Sequence, residues 1–131
     1  MEYLGFRFAF HAQDFGASVN FYHNILGMKY LGGWDRPDGK GALLSVGTGA
    51  VVEIYGPPAG ERFEGPAPES INLALRLSDS DSVDQYYEAL SSRGIRLESP
   101  PENHPWGHRS FVAYDPDGIP VHVYCELPAK Q

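Results

Sequence analysis

Few side chains in this sequence combine a reactive type with an informative spacing. Glu53 alternates with Val51 and Tyr55 in the run Ala50 to Tyr55, so Glu53 and Tyr55 share one face of an expected strand. A carboxylate in that position is a base, a ligand or a group on a wet sheet face. His122 lies in the run Pro120 to Glu126, two residues before Tyr124, and an imidazole there is a general base, a ligand or a satisfied core group. Arg7 stands between Phe6 and Phe8; its guanidinium stays protonated at neutral pH and has no lone pair to give. Asn72 adds an amide oxygen, and Arg76 follows at even spacing. Trp34, Tyr55, Trp106 and Tyr124 supply flat aromatic area for a ligand, or ordinary packing. His11, His104 and His108 are expected at the surface. The single cysteine, Cys125, has no identifiable base partner and reads as a small buried hydrophobe. No glycine-rich phosphate loop precedes a helix and no Gly-x-Ser-x-Gly elbow occurs, so nucleotide binding and covalent catalysis lack support. Binding, or acid-base chemistry, remains.

The elements that must position these residues recur in two copies. Phe6 to Phe10 alternates as a strand, and Asp14 caps a helix of about three turns carrying Val19, Tyr22, Ile25 and Leu26 that stops at Gly27. Met28 to Trp34, Ala42 to Val46 and Ala50 to Tyr55 follow as strands, separated by turns at Asp35 to Gly39 and Gly47 to Gly49. Residues 57–70, rich in Pro and Gly, form an irregular linker. The order then returns: a strand from Ile71 to Leu77, a cap region at Ser78 to Ser82, and a helix with Val83, Tyr86, Tyr87 and Leu90 ending at Gly94. Ile95 to Glu98, Arg109 to Tyr114 and Pro120 to Glu126 complete it, with a long loop through Pro101 and Pro105 and a turn at Asp115 to Gly118. Superposing the halves sets Arg7 on Asn72 and Glu53 on His122. The expected fold is α+β: one domain, 1–131, of two tandem βαβββ modules (1–56 and 71–131) whose sheets curve around a shared cavity.

Composition narrows the partners. The chain has 131 residues, 42% of them hydrophobic, enough for one core. Ten Lys and Arg against 17 Asp and Glu leave a net charge of -7, which repels a phosphate backbone, so nucleic acid is not expected. The amino-terminal residues lack the regions of a signal peptide and no run reaches membrane-spanning length, so a soluble, cytoplasmic protein without a membrane partner is expected.

The string Asp14-Phe15-Gly16-Ala17-Ser18-Val19-Asn20-Phe21-Tyr22-His23-Asn24-Ile25-Leu26-Gly27-Met28, together with Trp106-Gly107-His108-Arg109-Ser110-Phe111 running into Asp115-Pro116-Asp117-Gly118, resembles the vicinal oxygen chelate superfamily. That superfamily includes glyoxalase I, bleomycin-resistance proteins, fosfomycin-resistance enzymes and extradiol dioxygenases, and the resemblance covers almost the whole chain. It implies a glyoxalase-like fold, a homodimer, and, in metal-dependent members, a divalent ion held by up to four side chains, two from each half. Carried over residue by residue, the first-strand ligand position, normally His, falls on Arg7. The fourth-strand Glu falls on Glu53, the second-half His on Asn72, and the terminal-strand Glu on His122.

Arg7 decides what the resemblance implies for function. A permanent cation in a ligand position repels a divalent ion and is suited to pair with Glu53 instead. The first expectation is therefore a metal-independent protein that binds a small organic molecule in the cavity between the modules. Arg7, Trp34, Glu53, Tyr55, Asn72, Arg76, Trp106, His122 and Tyr124 would line that site, with no cofactor. The alternative is a lyase, isomerase or dioxygenase acting on a vicinal-oxygen substrate. It would use one divalent ion on Glu53, His122 and Asn72, with Glu53 and His122 as the catalytic candidates.

Overall fold

The computed structural model describes residues 1–47, 49–66 and 70–129. The chain divides into two compact units, Met1–Pro68 and Glu69–Gln131, each a βαβββ module. In the first, β1 (Phe6–His11) leads into a helix, and β2 (Lys29–Arg36), β3 (Gly39–Gly47) and β4 (Ala50–Gly56) form a meander. The sheet order is β1-β4-β3-β2, with β1 parallel to β4 and the other pairs antiparallel.

The helix begins where the sequence places it: the Asp14 carboxylate accepts the Ala17 N–H at 3.0 Å, capping α1 (Phe15–Val19). Its continuation, Asn20–Ile25, departs from the α-helix expected throughout and runs in π geometry, with the Leu26 N–H donating to Phe21 O at 2.8 Å. The wider turn accompanies burial of both consecutive aromatics, Phe21 and Tyr22. Gly27, at φ +79°, ends it. Phe10, Tyr22, Leu44, Val52 and Ile54 form the core between sheet and helix, where the Phe10 and Tyr22 rings meet edge-on at 6.0 Å.

The second module repeats the plan. Its sheet order is β5-β8-β7-β6, from β5 (Leu73–Arg76), β6 (Glu102–Asn103), β7 (His108–Tyr114) and β8 (Pro120–Glu126). The helix α2 (Ser80–Ser92) is capped by Asp79, whose carboxylate accepts the Ser82 N–H at 2.8 Å; that bond holds the Asp79 carboxyl below its ordinary value. Its buried Val83 and Leu90, with Tyr87 edge-on to Phe111 at 5.4 Å, cover the apolar side of the sheet, where Val121, Val123 and Cys125 are fully buried.

Two expected strands are altered. The strand at Ile71 to Leu77 is shorter, beginning at Leu73, so Asn72 lies just outside it. Ile95 to Glu98 forms no strand, only a bridge from Leu97 to Ala113, and pairing with β7 resumes at Glu102 in what reads from sequence as loop. Pro100 and Pro101, which have no N–H to donate, interrupt the ladder between them. Linker residues 57–66 are irregular, but Gln13 Nε2 donates to Gly65 O at 2.9 Å and the Phe63 ring stacks on His11 at 5.2 Å, tying the segment to the end of β1. Thr48 and residues 67–69, in the expected turn and linker, lie outside the described residues.

Candidate functional site

Strand register assembles the first module's site. Ala9 pairs with Glu53 and His11 with Tyr55, while Leu43 and Gly41 of β3 lie opposite Glu53 and Tyr55, and Trp34 of β2 lies opposite Gly41. Alternation therefore puts Arg7, His11, Glu53, Tyr55 and Trp34 on one face, opposite the helix. Gly41 is required there: a Cβ would run into the Trp34 ring. Trp34 lies inside β2, with its ring 6.1 Å from that of Tyr55.

On this face Arg7 Nη1 donates to Glu53 Oε1 at 3.0 Å. The Glu53 side chain is 11% exposed and that of Arg7 60%, so a sheltered carboxylate is neutralised by a cation reaching in from solvent. The Tyr55 hydroxyl bonds to the same carboxylate, and that bond, aided by desolvation and the Glu53 charge and opposed by Arg7, raises the phenol above its ordinary value. The His11 ring sits between Tyr55, at 5.0 Å, and Phe63, at 5.2 Å. Strand alternation from Arg7 already puts His11 on this face; no pattern in the linker points to Phe63.

The second module keeps the same register. Ala74 pairs with His122 as Ala9 pairs with Glu53, and Arg76 pairs with Tyr124 as His11 pairs with Tyr55, so Asn72 stands two residues before Ala74 as Arg7 stands before Ala9. His122, Tyr124 and Arg76 share a face with His108, whose ring stacks on Tyr124 at 4.6 Å. Arg76 pairs with Glu126 at 3.4 Å, both side chains being exposed. Trp106 is 68% exposed in the loop before β7 and stacks on His104 at 4.4 Å.

These side chains do not suit a divalent ion in the first module. Among the described strand residues Glu53 is the one carboxylate on this face; it already serves a guanidinium and a phenol, and the guanidinium would stand beside any ion placed there. Among the described residues no group of three or more His, Cys, Asp or Glu is gathered in ligand geometry. No described helix is long and apolar enough to cross a membrane.

Residues 6–123 match the model of the Glyoxalase/Bleomycin resistance protein/Dioxygenase superfamily. The chain belongs to that superfamily. Among solved members of the glyoxalase fold, it is similar to a glyoxalase/bleomycin resistance protein/dioxygenase from Nocardioides, with 24% identity and a TM-score of 0.72 over 100% of this chain and 87% of that one. A second similar member of the superfamily, from Sphaerobacter thermophilus, shows 25% identity and a TM-score of 0.70 over 96% and 98%. A lactoylglutathione lyase from Agrobacterium tumefaciens shows 20% identity and a TM-score of 0.68 over 92% and 91%, a likeness of fold. No curated protein matches the chain.

Proposed function

We propose that this member of the superfamily binds a small organic molecule without a metal ion. Its ligand lies on the sheet face that carries Arg7, Glu53 and Tyr55. The observation that carries this reading is the 3.0 Å contact from Arg7 Nη1 to Glu53 Oε1. A fixed cation there neutralises Glu53 as a divalent ion would, and it repels a metal ion that would polarise a substrate oxygen. The partly exposed guanidinium fork and the Trp34, Tyr55 and His11 rings offer charge and flat area to a ligand with a polar group on an aromatic frame. The second sheet offers an equivalent ligand face of its own, with His122, Tyr124 and Arg76, Asn72 just before β5, and Trp106 at the loop. The chain works as a homodimer in this reading, supported by exposed Tyr3, Leu4, Phe6 and Leu31 on the first module.

The test is a ligand-observed NMR screen of aromatic acids and amines against the full chain, repeated on Arg7→Met and Glu53→Gln. Ligands that bind the native chain and lose at least about tenfold in affinity on either substitution support the reading. A screen in which no hit is weakened by either substitution would overturn the placement of the site. A relative is named a lactoylglutathione lyase, and turnover of a vicinal-oxygen substrate that requires added metal would favour that second class.

A further inference from the structure

The first sheet has a second face, turned toward α1, with a cavity of its own. Register puts Tyr30, Gly33 and Asp35 of β2 and Lys40 of β3 on that face, opposite the one that carries Glu53. With Phe15 of α1, and Trp34 at the border, they line a cavity of about 410 Å³, within the size range of small-molecule sites. Gly33 is part of its construction: any Cβ there would collide with the Tyr30 hydroxyl and with the backbone of Gly41, so only glycine lets the phenol lie against the strand.

The charge in this cavity is unspent. Lys40 is the cross-strand partner of Asp35, yet its ammonium makes no ion pair among the described residues and lies instead over the Phe15 ring, 5.5 Å from the centroid. A cation held on an aromatic wall, beyond ion-pair distance of the described carboxylates, suits an anion attached to a flat apolar body. A second cation in the same space would be repelled by Lys40.

We propose that this cavity binds a planar aromatic carboxylate, its ring among Phe15, Tyr30 and Trp34 and its carboxylate on Lys40 Nζ. The assignment is separable from the Arg7–Glu53 reading, since Lys40 and the Arg7–Glu53 pair lie on opposite faces of the sheet and Trp34, at the border, is the residue the two readings share. Calorimetric titration of the full chain with 2-naphthoate tests it. Saturable binding that falls at least about tenfold both for Lys40→Met and for 2-naphthoate replaced by the neutral 2-naphthamide is the expected result. Asp35→Asn, which removes the competing acid, is expected to tighten binding by a few-fold. Both substitutions lie on a strand pair near solvent, and a circular dichroism spectrum confirms that each variant folds. Absence of saturable binding to the native chain, or equal affinity for the native chain and Lys40→Met, overturns the assignment. Loss of binding on Arg7→Met would put naphthoate on the other face and overturn it as well.

Discussion

Glu53 holds two partners at once, and each partner's behaviour reports on it. Its bond to the Tyr55 hydroxyl raises that phenol, so Glu53→Gln is expected to return Tyr55 toward its ordinary titration, seen as an earlier rise in absorbance near 295 nm that is absent from a Tyr55→Phe, Glu53→Gln double variant. An unchanged Tyr55 titration would mean that the hydroxyl does not bond to Glu53 in solution. Strand alternation made the shared face of Glu53 and Tyr55 legible in the sequence, and the resemblance made Arg7 legible as the residue in a ligand position. What neither carried was the partner set of His11, because stacking on Phe63 depends on how an irregular linker folds back. Asn72 reads from sequence as part of a strand beginning at Ile71, whereas the strand begins at Leu73.

Elements with strong local signals fold as read, and those decided by tertiary packing do not. Asp14 caps its helix as the sequence indicates, Asp79 caps the second from within the expected region Ser78 to Ser82, and β8 spans Pro120–Glu126. The π geometry of Asn20–Ile25 has no local signature, since its apolar spacing is indistinguishable from that of an α-helix. The turn before β8 shows what one side chain contributes: Asp115 is buried and accepts the N–H groups of Asp117 and Ile119, each at 2.8 Å. Asp115→Ala would leave both donors short of an acceptor and is expected to cost about 1–3 kcal/mol in urea unfolding. Gly41→Ala should push the Trp34 ring off β3, costing about 1–3 kcal/mol and shifting Trp34 fluorescence; an unshifted spectrum would mean the ring is not held against the strand.

At the scale of the whole molecule, one sequence plan serves twice, and the two modules share register while differing at the positions that matter chemically. Arg7 and Glu53 in the first correspond to Asn72 and His122 in the second, so a salt bridge has no counterpart there. Stability at high pH belongs to this scale. Burial of Tyr86 raises its phenol to about 12, so the unfolded chain gives up that proton near pH 10 while the folded chain keeps it. The stabilisation is intact below pH 10 and lost as pH rises toward 12. Thermal melting should therefore fall more steeply over that interval for the native chain than for Tyr86→Phe, and equal slopes would contradict the assignment.

The central claim is that Arg7 takes the place of a metal ion beside Glu53, and the most direct measurement is metal content. Mass spectrometry of the untagged protein, before and after incubation with manganese, iron, nickel and zinc, should find less than about a tenth of an equivalent throughout. Near one equivalent per chain of any of these ions, retained after desalting and lost on Glu53→Gln, would contradict it.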